Sequence, residues 1–241
     1  MGDLLQSYGR DVYLPRNDLG PAWEKATFRQ YAADYAPFLP RDPAAAVLDV
    51  GCGPGAFLQF MRSRGYTSVS GIDASEDQVR IARERGVEGV AHADARTHLA
   101  ASPARYDLVA LNDMIEHVPK ADAPRLLEDL RAALKPGGRI LLRTPNMACP
   151  LATASRYIDF THEIGLTEWS LEALLRSAGF EEVIVRGSAL PGWSPARAAR
   201  RLVAWLWRGG WWLAYRVHGF AAPRVMTANL VASARRPAGR T

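Results

Sequence analysis

Short apolar runs alternate with amphipathic stretches along most of this chain, and glycine or proline marks nearly every change. Residues 46–50 (AVLDV) read as a buried strand, 51–55 as a turn, and 56–64 as a helix closed by Gly65. Further strands are expected at 68–72, 89–92, 106–112, 139–143, 182–185 and 228–234. Helices are expected at 76–85, ended by Gly86, at 123–134, ended by the Lys135-Pro136-Gly137-Gly138 turn, and at 167–178, with Thr167 as N-cap. Strands that alternate with helices give an α/β fold with a mostly parallel sheet, covered on both faces. No segment repeats at a fixed period.

Two regions depart from this pattern. Residues 1–40 are aromatic and irregular, with one helix expected over 21–38, and they read as a cap or lid on a domain spanning 41–241. Residues 187–227 are rich in Arg and Trp and form an insertion between the last two strands. There Gly209-Gly210 is expected to break the chain into two short helices.

The most informative segment is Val47-Leu-Asp-Val-Gly-Cys-Gly-Pro-Gly55. A buried strand runs into alternate glycines and then a helix, so backbone can approach a ligand at the strand end. Asp73 ends the second strand, where a carboxylate can accept both hydroxyls of a ribose. Asp94 ends the third, where an acid can meet an exocyclic adenine amine. A glycine turn that only packs strand on helix, or a dinucleotide fingerprint, is the rival reading, since Gly51, Gly53 and Ala56 satisfy the loose form.

VLDVGCGPG resembles the first motif of the class I S-adenosylmethionine (SAM)-dependent methyltransferases. YDLVALNDMIEHVP and LKPGGRILLRTPN resemble their fourth- and fifth-strand motifs. The resemblance covers roughly residues 40–186. It implies a Rossmann-like seven-stranded sheet with the last strand antiparallel, and SAM as cofactor. It assigns SAM binding to Asp49, Gly51, Cys52, Gly53, Gly55, Asp73, Ala74, Asp94, Ala95, Asn112 and Asp113.

Methyl transfer from a sulfonium needs an aligned acceptor and, for a hydroxyl, a base. Two histidines stand where this fold places its chemistry. His117 lies in the EHVP stretch, and His162 in Asp159-Phe-Thr-His-Glu163, a segment that resembles ubiquinone-type O-methyltransferases and envelope-glycan-cluster methyltransferases. His162 is the first choice for general base, with Glu163 to orient it or hold substrate. An orienting or helix-capping role for either histidine is the plain alternative. His162, Glu163 and Asp159 could hold a divalent cation, but that spacing is weak grounds and no metal is expected.

Charge changes the picture at the C-terminal end. The net charge is +5, yet no Asp or Glu follows Glu182, while ten arginines do. Residues 195–218 interleave Arg with Trp205, Trp207, Trp211 and Trp212, and Trp193 precedes them. Such a segment suits a solvated face, a homodimer interface, an anionic membrane surface or, least well, nucleic acid, for which no recognised motif exists. Cys52 and Cys149 form no CxxC pair, the start of the chain carries no apolar leader, and no stretch is long and apolar enough to span a bilayer. A cytoplasmic enzyme is expected, with peripheral contact at the inner membrane face as an option. The expected reaction is O-methylation of a saccharide or other small molecule, lipid-linked or from an envelope glycan. The alternatives are an aromatic, polyketide or quinone-precursor hydroxyl, RNA, or SAM binding without turnover.

Overall fold

The structure is a computed structural model that describes Tyr8, Asp11, Tyr13, Leu14, residues 17–192 and residues 195–239. Most of the first sixteen residues and Trp193 therefore lie outside the described residues.

Seven strands form one sheet: β1 (Val47–Val50), β2 (Val69–Asp73), β3 (Val90–His92), β4 (Tyr106–Asn112), β5 (Leu134–Pro145), β6 (Glu181–Gly187) and β7 (Asn229–Arg235). Their order is β3-β2-β1-β4-β5-β7-β6. The first five pair in parallel, and β7 runs antiparallel to both β5 and β6. This is the Rossmann-like arrangement expected from the sequence. The order reverses at β1, so the carboxyl ends of β1, β2 and β4 open a crevice where ligands bind in such sheets.

The helices are α1 (Pro21–Tyr35), α2 (Ala56–Ser63), α3 (Glu76–Glu84), α4 (Ala95–Ala100), α5 (Ala123–Ala133), α6 (Ala152–Tyr157), α7 (Glu168–Ser177) and α8 (Pro195–Val217). α1 begins with Pro at its first turn and runs on into a 3₁₀ turn, Ala36–Phe38. Thr167 caps α7 as expected, within a full capping box shared with Ser170. Two apolar layers sandwich the sheet. One holds Leu111, Leu127, Leu142 and Leu171; the other holds Phe57, Phe60, Leu108 and Leu141.

Two readings are corrected and one helix, α4, was not expected. β5 starts at Leu134 rather than 139, because Lys135–Gly138 form an irregularity inside the strand, where the partner of Leu134 is Tyr106 and that of Arg139 is Leu108. Gly137 takes φ +76° there. Next, α4 follows Asp94 directly, because the Asp94 carboxylate accepts from Thr97 N–H and caps it. Finally, Gly209-Gly210 does not break the insertion. Both glycines lie within one 23-residue helix, α8, where Leu, Trp, Ala and Arg on either side outweigh about 1 kcal/mol per glycine.

Candidate active site

A cavity of about 780 Å³ opens at the carboxyl ends of β1, β2 and β4. Its floor is the glycine loop. Gly51 and Gly53 have φ of +72° and +52°, which side-chained residues rarely adopt. A Cβ on Gly51 would also sit 2.5 Å from Met114 Cγ.

Asp49 is almost wholly buried, and burial, together with the nearby charge of Asp73, pushes its carboxyl well above the carboxylate range. It accepts from Asn112 Nδ2 (3.2 Å), and Asn112 Oδ1 accepts from the Tyr35 hydroxyl (2.6 Å). A chain from α1 thus reaches β1 through the end of β4. The Asp73 carboxylate receives Gly53 N–H and Ser75 N–H, each at 2.8 Å. Burial raises its pKa and those two bonds oppose the rise. Near it Gln78 Oε1 lines the cavity, buried and without a hydrogen-bond partner. A buried acceptor left open beside an acid-lined glycine loop fits a ligand that brings donors, as SAM does through its ribose, amino and adenine groups.

The sequence placed eleven residues around this ligand. Asp49, Gly51, Cys52, Gly53, Asp73, Ala74, Ala95, Asn112 and Asp113 line the cavity; Gly55 and Asp94 do not. Gly55 is turned beneath Val87, where a Cβ would meet Val87 Cγ1 at 2.7 Å, so its requirement is packing. The Asp94 carboxylate is taken by Thr97 N–H and hydroxyl, and Ala93 and Ala95 form the wall on either side of it.

Opposite the glycine loop stands a polar cluster. His117 and His162 meet edge to face with centroids 4.8 Å apart. His162 Nδ1 lies 3.0 Å from the Ser155 carbonyl, which can only accept, so Nδ1 carries a proton and Nε2 is the acceptor of the neutral ring. Thr161 donates its hydroxyl to Asp159 (2.7 Å), so its oxygen accepts from His117 Nδ1–H (2.7 Å), and His117 Nε2 is likewise free to accept. Asp159 also takes Thr161 N–H and the Tyr8 hydroxyl. Burial alone would raise Asp159, but these bonds hold it below the usual carboxylate range. His117 is pushed down by burial first and by His162 second, so it is neutral at pH 7.

Glu116 completes the cluster. It is 2% exposed, and burial, aided by the charge of Asp113, raises its carboxyl, while Thr144 donates to Oε2 at 3.0 Å. Glu116, His117 and His162 each offer a ligand atom, all within 4.8 Å of one another, a donor set able to hold a divalent cation. This corrects the place given to Glu163. Its side chain stands off the lining, and its backbone N–H instead donates to the Glu116 carbonyl at 2.7 Å.

Sequence reasoning passed over Arg143 and Thr161. Arg143 ends the apolar run of β5, pairs with Asp113 and lies over the Tyr31 ring at 5.4 Å. A charge closing a buried strand was the available signal. Tyr8, Tyr13, Trp23 and Tyr31 bring the aromatic N-terminal region into the cavity wall.

A family model described as a methyltransferase domain matches residues 23–184. With this fold and site, the chain belongs to the class I SAM-dependent methyltransferases. Among curated relatives, the ubiquinone biosynthesis O-methyltransferase of Xylella fastidiosa (strain 9a5c) is 32% identical over 170 residues, covering 62% of this chain and 66% of the relative. That of Aeromonas salmonicida is 36% identical over 105 residues, 42% of this chain and 43% of the relative. The chain thus spans two thirds or less of the length of these relatives. Among solved structures, a SAM-dependent methyltransferase from Archaeoglobus fulgidus superposes with TM-score 0.65 at 21% identity, covering 88% of this chain and 94% of that one. Phosphoethanolamine N-methyltransferase 2 of Haemonchus contortus, solved with SAM, gives 0.61 at 18% identity over 97% of this chain and 60% of that one. At these identities the superpositions bear on the fold.

Proposed function

We propose that this enzyme methylates a hydroxyl of an aromatic small molecule, of the phenolic or quinone-precursor kind. The observation that carries the reading is the histidine pair: two imidazoles, each with Nδ1–H committed to an acceptor, line one cavity, which leaves Nε2 as the nitrogen to take a proton. The aromatic wall of Tyr8, Tyr13, Trp23 and Tyr31 suits a flat acceptor, and the names of the curated relatives point the same way. They favour this acceptor over the saccharide first expected.

Bound in the cavity, SAM supplies an electrophilic methyl on a sulfonium. Asp73 would hold its ribose, and Asp49 and the glycine loop its amino-acid end. Catalysis by the chain is then placement plus proton removal. The acceptor oxygen would take the methyl carbon from the sulfonium, with S-adenosylhomocysteine as the other product, and a histidine Nε2 would accept the oxygen's proton. The Asp159–Thr161 pair would fix the His117 tautomer and stabilise the imidazolium formed.

A second reading shares this site. The Glu116, His117 and His162 donor set would hold a divalent cation that lowers the acceptor's pKa, in place of a free base. Turnover that survives dialysis against EDTA supports the base; turnover lost there and restored by Mg²⁺ or Zn²⁺ supports the cation.

The first test is calorimetric titration with SAM and S-adenosylhomocysteine. Asp73→Ala is expected to weaken binding about 10- to 100-fold, the worth of hydrogen bonds to a charged group. Undiminished binding by a folded Asp73→Ala protein would remove Asp73 from the cofactor site.

A further inference from the structure

β6 and β7 are antiparallel neighbours, and two residues suffice to join such a pair. Residues 188–228 are used instead, and most of them form α8. The sheet does not need this helix.

The apolar side of α8 is turned outward. At 100° per residue, Leu202, Leu206, Leu213 and Val217 share a narrow arc, with Arg216 and then Trp205 on one flank and Trp212 further round. Arg197, Arg200, Arg201 and Arg208 fall on the opposite side. In a helix that packs its apolar stripe on the core, the first group would be covered. Here Leu206 is 58% exposed, Leu213 58%, Val217 74% and Trp205 65%. Of the five half-buried positions, Arg201, Ala204, Arg208 and Tyr215 lie on the basic side and Ala214 on the flank, and Arg201 donates to the carbonyls of Leu190 and Gly192. No residue of α8 is buried.

We propose that this outward face lies in the headgroup layer of an anionic bilayer, as a membrane-surface helix. Charge selects this occupant. The helix carries five arginines and no acid, and no acid follows Glu182 anywhere. The screening distance in physiological salt is about 8 Å, shorter than the roughly 10 Å across a helix. The attraction therefore comes mainly from Arg216, at the edge of the apolar arc, and Arg200, exposed further round, whose long stems reach toward lipid phosphates. Trp suits the depth where apolar tails meet headgroups. A second copy docked face to face would instead bring no acidic group to these arginines, since α8 carries none. Spanning is excluded for the described residues, since no helix there is long and apolar enough to cross.

The test is co-sedimentation of the full chain with vesicles of phosphatidylcholine and phosphatidylglycerol at about 3:1, and with phosphatidylcholine alone, while following Trp emission. The protein is expected to sediment with the mixed vesicles, shift its emission to the blue, and bind at least about ten-fold more weakly to the neutral ones. Leu206→Glu with Leu213→Glu should abolish sedimentation and leave the thermal unfolding midpoint unchanged. Arg200→Gln with Arg216→Gln should weaken anionic binding and also leave the fold intact. Absence of sedimentation with either vesicle overturns the proposal, as does equal binding by the Leu206→Glu, Leu213→Glu protein. An α8-dependent dimer in light scattering without vesicle binding would assign the face to a second copy instead.

Discussion

His117 shows how much chemistry one hydrogen bond decides. Thr161 spends its proton on Asp159, and that choice fixes where the imidazole keeps its own. Thr161→Val should remove the acceptor for Nδ1–H while leaving the volume nearly unchanged. We expect kcat/KM to fall about ten-fold, the scale of one buried hydrogen bond to a group that becomes charged, with little change in cofactor affinity. The pH profile gives a second readout. His117 acts as a base only when neutral, and its pKa lies below the usual histidine value. The acid limb of kcat/KM should therefore lie below pH 6.5, and activity should be lost as pH falls through the folded pKa. The hydrogen bond to Thr161 raises that pKa, so its loss lowers it and the Thr161→Val limb should move to still lower pH. A limb that stays in place would leave the relay without a role.

Asp49 yields a different signature. Burial holds its carboxyl high, and a cationic ligand beside it favours the charged form. Cofactor binding should then release protons and tighten as pH rises. Titrations in buffers of unlike ionisation enthalpy would show this, and a buffer-independent heat would refute it.

At this scale the sequence was a good guide wherever a residue closes a strand. Asp49, Asp73 and Asn112 stand in the cavity wall because strand ends and loops are read from local pattern. Asp94 stands two residues past its strand, and its carboxylate is claimed by Thr97, a contest between capping and ligand that no spacing settles. The Thr161–His117 contact joins residues 44 apart, and Glu116 accepts from Thr144, 28 residues on, so neither can be read from neighbours in the chain.

Among the elements, α7 states its own beginning. Thr167 and Ser170 exchange side-chain and backbone bonds at its N-terminus. Thr167→Ala should cost about 1 kcal/mol, visible as a lower urea midpoint with an unchanged slope. Its first residue, Glu168, is fully buried and accepts from Trp169 Nε1 and Arg224 N, so the cap also sets the path into β7. The strands and most helices were legible because apolar period and glycine stops agree there. α8 was not, since two adjacent glycines look like a break to any local rule. Both glycines have open space around them, so nothing in the fold requires either.

For the whole molecule, the N-terminal helix is fastened to the far end of the domain. Asp34, fully buried, accepts from Ser188 Oγ and Ala189 N at 2.8 Å, and Gln30 reaches the same two residues. Arg186 donates to the carbonyls of Ala33 and Asp34. Asp34→Ala would strand these donors at a cost of about 1–3 kcal/mol, read as lowered stability in urea, with loosened cofactor binding because Tyr35 leads on to Asp49. Full stability would show that the tether is passive.

That fastening also sets an order in time. On a ribosome, Asp34 emerges 154 residues before Ser188, an interval on the order of ten seconds at ordinary rates of synthesis. The glycine loop and the first four strands emerge during that wait, while α1 has nothing at its far end to hold it. A nascent chain halted before β6 would carry every residue proposed for the cofactor and still lack a locked wall to enclose it. The enzyme's competence to bind is thus decided late in translation, by a serine and an alanine that never touch the ligand's cavity.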